Sequence, residues 1–454
     1  MPNLSQHLIK STTYETLRQA QGDKLGLLQE AHLIYFLSRY GIIYIMTHRY
    51  KHRWIAEKMR DALEFSPVIV LSGARQTGKS TLLQNEEPFR GWHYVTFDDL
   101  DTLSIAEKRP DEILNISKNI IIDEAQRSPA FMYAVKKAVD KDKSRRIILS
   151  GSANMLLMKR VSESLAGRAV YFNLMPFSFG EMVERGPGRW FKSLLNDGKI
   201  SRIQDTYITS NMNLRFSLFR GFLPPAALLK KEGHIAMWLK AYVKTYLEKD
   251  MREISAASYL SDFKRMMELL ALRNASILKQ SEVARDAGLS QATLGRYINI
   301  LETTNLFMKV KPYSKNISIR LIKSPRIFCI DTGLTASLAG YSASENIQMT
   351  FMGALLESYV FLNLIAMTSL LGGEVFYFRT QGGKEKKVDF VIEKENRLVA
   401  VEVKLSDTVS AGDINSLLFF KDINSRFAAG LVVYAGKEVK QLSSNIFAVP
   451  WDML

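Results

Sequence analysis

The run Gly73-Ala74-Arg75-Gln76-Thr77-Gly78-Lys79-Ser80, with Thr81 behind it, has the residue types needed to hold a row of phosphates. Its glycines let the backbone fold so that successive N–H groups face an anion, and a helix starting after the loop adds its positive end. Lys79 is placed to neutralise β- and γ-phosphate charge, and the Ser80 hydroxyl to ligate Mg²⁺. A second pair completes this chemistry. Asp123 and Glu124 close the apolar run Ile120-Ile121-Ile122, at a strand's carboxyl end, where open α/β sheets bind ligands. Asp123 would hold Mg²⁺ through water, and Glu124 would orient or deprotonate the attacking water. Ser152, within Leu149-Ser150-Gly151-Ser152-Ala153-Asn154, offers a polar side chain beside the γ-phosphate, with Ser150 and Asn154 as alternatives. Arg168 could act on that phosphate in cis or in trans from a neighbouring subunit, or be an ordinary surface arginine.

More chemistry-bearing residues lie toward the C-terminus. Val388–Ile392 alternates as a strand carrying Asp389, and Val399–Lys404 as another carrying Glu402 and Lys404. Strand period two puts Glu402 and Lys404 on one face, and a neighbouring strand could bring Asp389 beside them. Glu357 lies on the preceding helix, Gly353–Leu364. Two carboxylates, Asp389 and Glu402, can hold a divalent metal, while a lysine lowers the pKa of water or steadies a leaving phosphate. Asp389 followed by Glu402-Val403-Lys404 resembles the PD-(D/E)xK nuclease pattern. The same residues are also compatible with solvated strand positions, or with a nuclease fold kept only for binding.

Between these sets, residues 277–303 read as two helices around a turn. Ser281–Asp286 is stopped by Ala287-Gly288-Leu289; Ser290 then caps a helix with apolar residues at Leu294, Tyr297, Ile298 and Leu301. That is a helix-turn-helix whose second helix can enter a major groove, with Gln291, Thr293 and Arg296 facing outward. The following stretch, Lys309–Arg326, carries Lys309, Lys311, Lys315, Arg320, Lys323 and Arg326 with no acidic residue, and reads as a basic wing on phosphates. The alternative is a helix pair that only packs between domains.

These residues need elements to position them. Val68–Leu71 is apolar throughout, as in a parallel strand buried on both faces. Further strands read at Tyr94–Phe97, Ile120–Ile122 and Ile147–Leu149, separated by helical stretches, which indicates an α/β sheet. Past Gly221–Pro225 the pattern turns helical, over Ile235–Met251 and Ser261–Arg273. From Phe351 one helix precedes strands at Glu374–Phe378, Lys387–Ile392, Leu398–Val403 and Ala429–Val433. Residues 1–45 do not read like the rest and are expected to be an extension outside the native fold. The expected domains are then 46–225 for the phosphate-binding sheet, 226–345 for a helical lid with a winged helix-turn-helix, and 346–454 for the nuclease-like end.

Taken together, GARQTGKSTLL, the Tyr94–Leu100 strand ending in aspartates, IIIDEAQ, LSGSAN, LAGR, Gly221-Phe222-Leu223-Pro224 and Tyr242–Asp250 resemble a group of prokaryotic AAA-type ATPases. Proteins of that group carry a C-terminal domain of restriction-endonuclease-like fold. The resemblance runs from about Tyr50 to the C-terminus. It implies an α/β chain with a P-loop parallel-sheet ATPase domain, a helical winged-helix middle and an α/β nuclease-like end, using ATP and Mg²⁺.

Bulk properties agree. At 454 residues the chain exceeds one compact core. With 47% hydrophobic and 24% charged residues it is not a disordered chain. A formal net charge of +15 favours polyanions, duplex DNA first. One cysteine, Cys329, excludes an internal disulfide framework and fits a reducing cytoplasm. The apolar stretch Leu33–Met46 is too short to span a bilayer and contains Arg39, so no membrane partner is expected. The reading that follows is an ATPase coupling its nucleotide cycle to DNA binding and to metal-dependent cleavage, as a homo-oligomer if Arg168 acts in trans. The alternative is an ATP-switched regulator that binds DNA or protein and cuts nothing.

Overall fold

The apolar runs around the phosphate loop become the strands of one parallel sheet. The computed structural model describes residues 32–38, 41–47, 50–151, 165–198, 210, 212–254, 260–343, 345–380 and 385–454. They fall into two units, Met1–Lys51 and His52–Leu454. In the first, β1 (His32–Ser38) and β2 (Gly41–Thr47) pair antiparallel, from His32 opposite Thr47 to Ser38 opposite Gly41. The two halves of the apolar stretch therefore pair with each other, each satisfying the other's backbone.

In the second unit, α1 (Ile55–Phe65) leads into β3 (Val68–Ser72) and, past the phosphate loop, α2 (Lys79–Asn85). Strands β4 (His93–Thr96) and β5 (Asn119–Asp123), helix α3 (Phe131–Lys141), then β6 (Arg146–Ser150) and β7 (Ala169–Asn173) follow. All pairings are parallel, in the order β4-β5-β6-β3-β7. Val68 and Val70 share a core with Phe131 and Val135 of α3, while Ile69 and Leu71 pack on Met59 of α1 and Leu82 of α2. Helices cover both faces, which is why β3 is apolar from Val68 to Leu71. Because β6 lies between β3 and β5, those two strands run about 10 Å apart, and the phosphate loop and the Asp123–Glu124 pair emerge on one carboxyl edge.

The middle of the chain holds α4 (Leu214–Arg220), α5 (Glu232–Ile254), α6 (Leu260–Leu272), β8 (Ser276–Ile277), α7 (Gln280–Ala287) and α8 (Gln291–Thr303). After them come β9 (Phe307–Val310), α9 (Ile317–Ile322), β10 (Arg326–Cys329) and α10 (Thr332–Leu338), with strand order β8-β10-β9. The turn between α7 and α8 is made by Gly288 at φ +68°, and Ser290 caps α8 by accepting from Thr293 N at 3.1 Å. Cys329 is buried, and burial pushes its thiol up to about 12. Asp331 ties α10 to the turn that follows α4. Its carboxylate accepts from Phe222 N at 2.6 Å, Leu223 N at 2.9 Å and Leu334 N at 2.7 Å. Gly221 stands at φ +74°, where a Cβ would run into that carboxylate, so the Gly-Phe-Leu-Pro turn needs its glycine.

The last region is α11 (Met349–Leu371), β11 (Glu374–Arg379), β12 (Lys387–Lys394), β13 (Arg397–Lys404), α12 (Asn415–Ile423), β14 (Phe427–Tyr434), β15 (Lys440–Ser443) and β16 (Ile446–Pro450). They form a mixed sheet in the order β11-β12-β13-β14-β16-β15. Phe390, Ile392, Val399 and Val401 face α11, and Val391, Leu398 and Ala400 face Leu417 and Phe420 of α12. Helix α11 is long and apolar enough to cross a membrane, but 67% of its most apolar window is buried inside the protein. Packing explains its composition. The chain boundaries expected from sequence do not follow the cores: Phe177, Phe179, Trp190 and Phe191, assigned to the P-loop sheet, share the core of α11. Phe179 N donates to Asn363 Oδ1 at 2.8 Å, and the Phe179 ring meets Trp451 edge-on at 5.2 Å.

Candidate nucleotide site and acidic cluster

Gly73 and Gly78 shape the loop. Gly73 lies at φ +153°, where a Cβ would be 2.5 Å from the Leu174 carbonyl oxygen, and Gly78 at φ +91° opens α2. Gln76 adopts φ +63°, a conformation that costs a side-chain-bearing residue of order 1–3 kcal/mol and that clusters at ligand clamps. Thr77 is buried and donates its hydroxyl to Ala74 O at 2.9 Å, bracing the turn. Lys79 Nζ lies on the Gly73 and Ala74 carbonyls, 3.0 Å from each. The result is a cradle closed by glycine backbone, with an ammonium at its mouth. Arg75 is half-buried, while Gln76 and Thr81 are exposed.

Ser80 and Asp123 meet across the sheet edge. Ser80 Oγ donates to Asp123 Oδ2 at 2.7 Å, and the Tyr94 hydroxyl from β4 donates to the same oxygen. Burial, then Asp123, pushes the Tyr94 hydroxyl well above its ordinary value, so it stays a donor. Tyr94 pairs with Ile121 in the register, two positions before Asp123, and that register brings it to the site. Glu124 follows at φ +53°, its carboxylate accepting from Gln126 Nε2. Burial raises its carboxyl above the usual range, against the lowering effect of Gln126. A hydroxyl, a fixed carboxylate and a second carboxylate beside an ammonium fit a magnesium–phosphate ligand.

Two contributors were not legible in the sequence. Arg53 is buried and donates to Thr77 O at 2.8 Å, Met175 O at 2.7 Å and Pro176 O at 3.2 Å. It also pairs with Glu181 at 3.2 Å, so one guanidinium fixes the back of the phosphate loop to the segment after β7. Replacing Arg53 by Met is expected to cost about 3–5 kcal/mol in urea unfolding, because it strands the buried Glu181 carboxylate. Adding Glu181→Gln should recover part of that loss, and a cost below about 1 kcal/mol would show that the guanidinium braces little. The second contributor is Tyr242 of α5, whose hydroxyl donates to Arg75 O at 3.2 Å.

Ser152 and Asn154 lie outside the described residues. Ser150 ends β6 between the two halves of the site, its hydroxyl buried and without a hydrogen-bond partner among the described residues. Arg168 requires a correction. It precedes β7, its carbonyl accepting from Val68 N at 3.2 Å, and so lies at the amino edge of the sheet. Five residues of strand put about 15 Å between it and the phosphate edge. Its guanidinium forks onto Asp140 at 2.7 and 2.9 Å, so it is a paired surface arginine, not a group that reaches phosphate in cis.

The C-terminal sheet gathers the four expected residues. Asp389 on β12 and Glu402 on β13 are both buried neighbours, Phe390 being paired with Val401. Asp389 Oδ2 accepts from Val403 N at 3.0 Å, and its other oxygen lies 3.4 Å from Lys387 Nζ. Lys404 Nζ stands 3.7 Å from Glu402 Oε2 and 3.6 Å from Asp413. Glu357 on α11 is pushed above its ordinary range by burial and by Asp389, and Arg326 of β10 donates to it. Burial, then Asp389, pushes Glu402 up to about 9. Glu402 Oε1 is buried with no hydrogen-bond partner among the described residues. The expected metal set of Asp389 and Glu402 is corrected by this arrangement. No three carboxylate, imidazole or thiol groups converge on one point among the described residues. Arg326, Lys387 and Lys404 already lie on Glu357, Asp389 and Glu402, and burial holds Glu357 and Glu402 toward their neutral forms, so a dication does not fit the cluster as it stands.

The AAA domain family matches residues 65–183, across the phosphate loop and the Asp123–Glu124 edge. The fold of this region is that of a P-loop ATPase. Two further families, each described as a domain of unknown function (DUF8612 and DUF4143), match residues 211–345 and 352–454. An uncharacterized protein of Mycobacterium tuberculosis is 28% identical over 410 residues, covering 89% of this chain and 84% of that protein. Another from Methanocaldococcus jannaschii is 25% identical over 362 residues, covering 76% and 77%. Among solved structures, the Walker-type ATPase of Pyrococcus abyssi aligns with a TM-score of 0.40 at 16% identity, covering 62% of this chain and 94% of that one.

Beyond the P-loop domain, α8 presents Gln291 and Arg296 to solvent, while Thr293 is half-buried with its hydroxyl 2.9 Å from Ser290. The basic wing is corrected. Lys309 pairs with Glu302 at 2.6 Å, Arg320 with Glu393 at 2.5 Å, and Arg326 is buried against Glu357. Lys315 Nζ donates to Ile423 O at 2.9 Å, and only the backbone of Lys311 meets β11, through Tyr377 N at 3.1 Å. The segment contains α9 and leans on the C-terminal sheet, with Tyr313 buried beside Phe376 and Phe420, because its charges find carboxylates there.

Proposed function

We propose that this chain binds ATP with Mg²⁺, hydrolyses it in the P-loop domain, and relays the state of that site to duplex DNA held by α7 and α8. One observation carries the nucleotide half: Lys79, Ser80, Asp123 and Glu124 converge on one sheet edge, with the Ser80 hydroxyl already on Asp123. Backbone N–H groups of the loop and Lys79 hold the β- and γ-phosphates and draw off charge as the terminal bond breaks. Ser80 and Asp123 would hold Mg²⁺, which supplies positive charge to the phosphate oxygens when bound. Glu124, ionised, orients a water in line with the γ-phosphate and takes up its proton.

Coupling is supported by packing. Ala74 of the phosphate loop shares a core with Phe263 of α6 and with Leu294 and Tyr297 of α8. Tyr242 adds a hydrogen bond from α5 to the loop. The order helix, strand, two helices, strand, short helix, strand from α6 to β10 supports a winged-helix reading, in which Gln291 and Arg296 on α8 are the groups we assign to DNA. With Arg168 paired to Asp140, this reading needs no second subunit.

ATP turnover with Mg²⁺, measured with and without duplex DNA, tests both halves. The expected result is turnover that DNA stimulates several-fold, and DNA affinity that falls steeply with salt. Arg296→Ala should weaken DNA binding and lower the salt slope by about 1. Turnover indifferent to DNA, with no salt-sensitive binding, would leave an ATPase whose middle region holds something else. Absence of turnover would retire the whole reading.

A further inference from the structure

Arg220, the last residue of α4, is a buried cation without a counter-ion. It is 8% exposed and makes no ion pair among the described residues. Nη2 donates to Met182 Sδ at 2.9 Å, a weak acceptor, and the buried Nε has no hydrogen-bond partner among the described residues. Asp331 is the carboxylate whose charge reaches it, but that group already accepts from Phe222 N, Leu223 N and Leu334 N. Burial pulls the guanidinium below its ordinary range, against the smaller raising effect of Asp331. An arginine keeps its proton in a protein all the same, so the charge and its donors remain to be satisfied.

The guanidinium lines a cavity of about 370 Å³ together with Phe216, Phe219, Ile235, Leu239 and Tyr341. That volume lies within the usual range for small-molecule sites, about 300–1,000 Å³, and the mostly apolar wall with one polar group is their usual chemistry. Helices α4 and α5 and the chain after α10 form the walls. Phe219 and Tyr341 pack in the core of α11, whereas Ile235 and Leu239 pack in the core of the middle helices, so the cavity lies on the seam between the two. Glu232 and Lys240 also line it, but both are exposed, where water weakens their hold on a buried charge. The site shares no residue with the phosphate loop, the Asp123–Glu124 edge or α8.

We propose that this cavity binds a small organic acid, one carboxylate on an apolar body, with the carboxylate seated on Arg220. The planar fork of a guanidinium matches a carboxylate, and the Phe216 ring, 5.3 Å away, holds its plane. One buried cation neutralises one negative charge. A phosphate ester would bring a second charge into an apolar cavity without a partner, which is costly. A neutral ligand would leave the guanidinium donors as they are now, unmet.

The test is calorimetric titration of the full, nucleotide-free chain with octanoate and with 4-phenylbutyrate, a linear and an aromatic body. At least one is expected to bind at one site per chain with a dissociation constant below about 1 mM. Octanol and octyl phosphate should bind at least about tenfold more weakly than that acid, since each lacks the charge match. Arg220→Met should weaken the acid at least about tenfold, and Arg220→Lys less, because the lysine keeps the charge and loses the fork. Melting curves check that each variant is folded. Should the methionine variant not fold, Ala236→Trp serves in its place: Ala236 lines the cavity from an exposed position on α5, so the indole fills the cavity without entering the core. That variant is held to the same tenfold loss. Failure of both acids to bind overturns the proposal, as does wild-type affinity in a folded Arg220→Met protein. Octanol or octyl phosphate binding as tightly as octanoate overturns the assignment to a carboxylate.

Discussion

Lys79→Ala is expected to lower ATP affinity at least about 100-fold, read by titration with a fluorescent ATP analogue. The ammonium stands at the end of the phosphate loop, directly before Ser80, and it contributes charge-assisted hydrogen bonds of about 1.5–3 kcal/mol each. The fold should survive. Lys79 now rests on the carbonyls of Gly73 and Ala74, while the turn is also braced by the Thr77 hydroxyl on Ala74 O. A variant with unchanged affinity and an unchanged melting curve would remove the loop from the nucleotide site altogether.

Glu124→Gln should separate binding from chemistry. The amide keeps the shape of the carboxylate at φ +53° and can still meet Gln126, so ATP affinity should stay within about threefold of wild type. Turnover is expected to fall about 10²–10⁴-fold, the usual contribution of a positioned general base. Both are measured in the same preparation, by steady-state phosphate release and by nucleotide titration. Turnover near the wild-type rate would exonerate Glu124 and direct attention to the Ser150 hydroxyl, which stands at the end of β6 between the two halves of the site.

The two variants also bear on coupling. If DNA responds to the nucleotide through the core that joins Ala74 to Tyr297, the Glu124→Gln protein should hold DNA in its ATP-bound manner for as long as ATP persists. Lys79→Ala should hold it as the nucleotide-free protein does. Asp331 is where that relay meets the chain's own covalent connection, since one carboxylate clasps the Phe222–Leu223 backbone and the first turn of α10.

What the sequence determined by itself was local. Gly73–Ser80 requires a particular backbone path, and the residues that need it are adjacent in the chain, so loop, strand and helix were legible together. The same holds for Ile120–Glu124, for the turn at Gly288 with its Ser290 cap, and for the alternation that put Glu402 and Lys404 on one face. Tertiary structure decided everything that depends on which distant segments meet. Strand order placed β6 between the phosphate loop and Asp123, and brought Tyr94 onto the same carboxylate. Between a phosphate ligand and a surface arginine the sequence left Arg168 open, and the parallel register put it at the far edge, on Asp140. The basic run 309–326 looked like free charge because its acidic partners, Glu357 and Glu393, lie 31 and 73 positions further along the chain. A charge's function depends on what desolvates and neutralises it, and for Arg53 that is Glu181, for Arg326 it is Glu357; no periodicity records such pairs, because they form only when separately encoded elements pack.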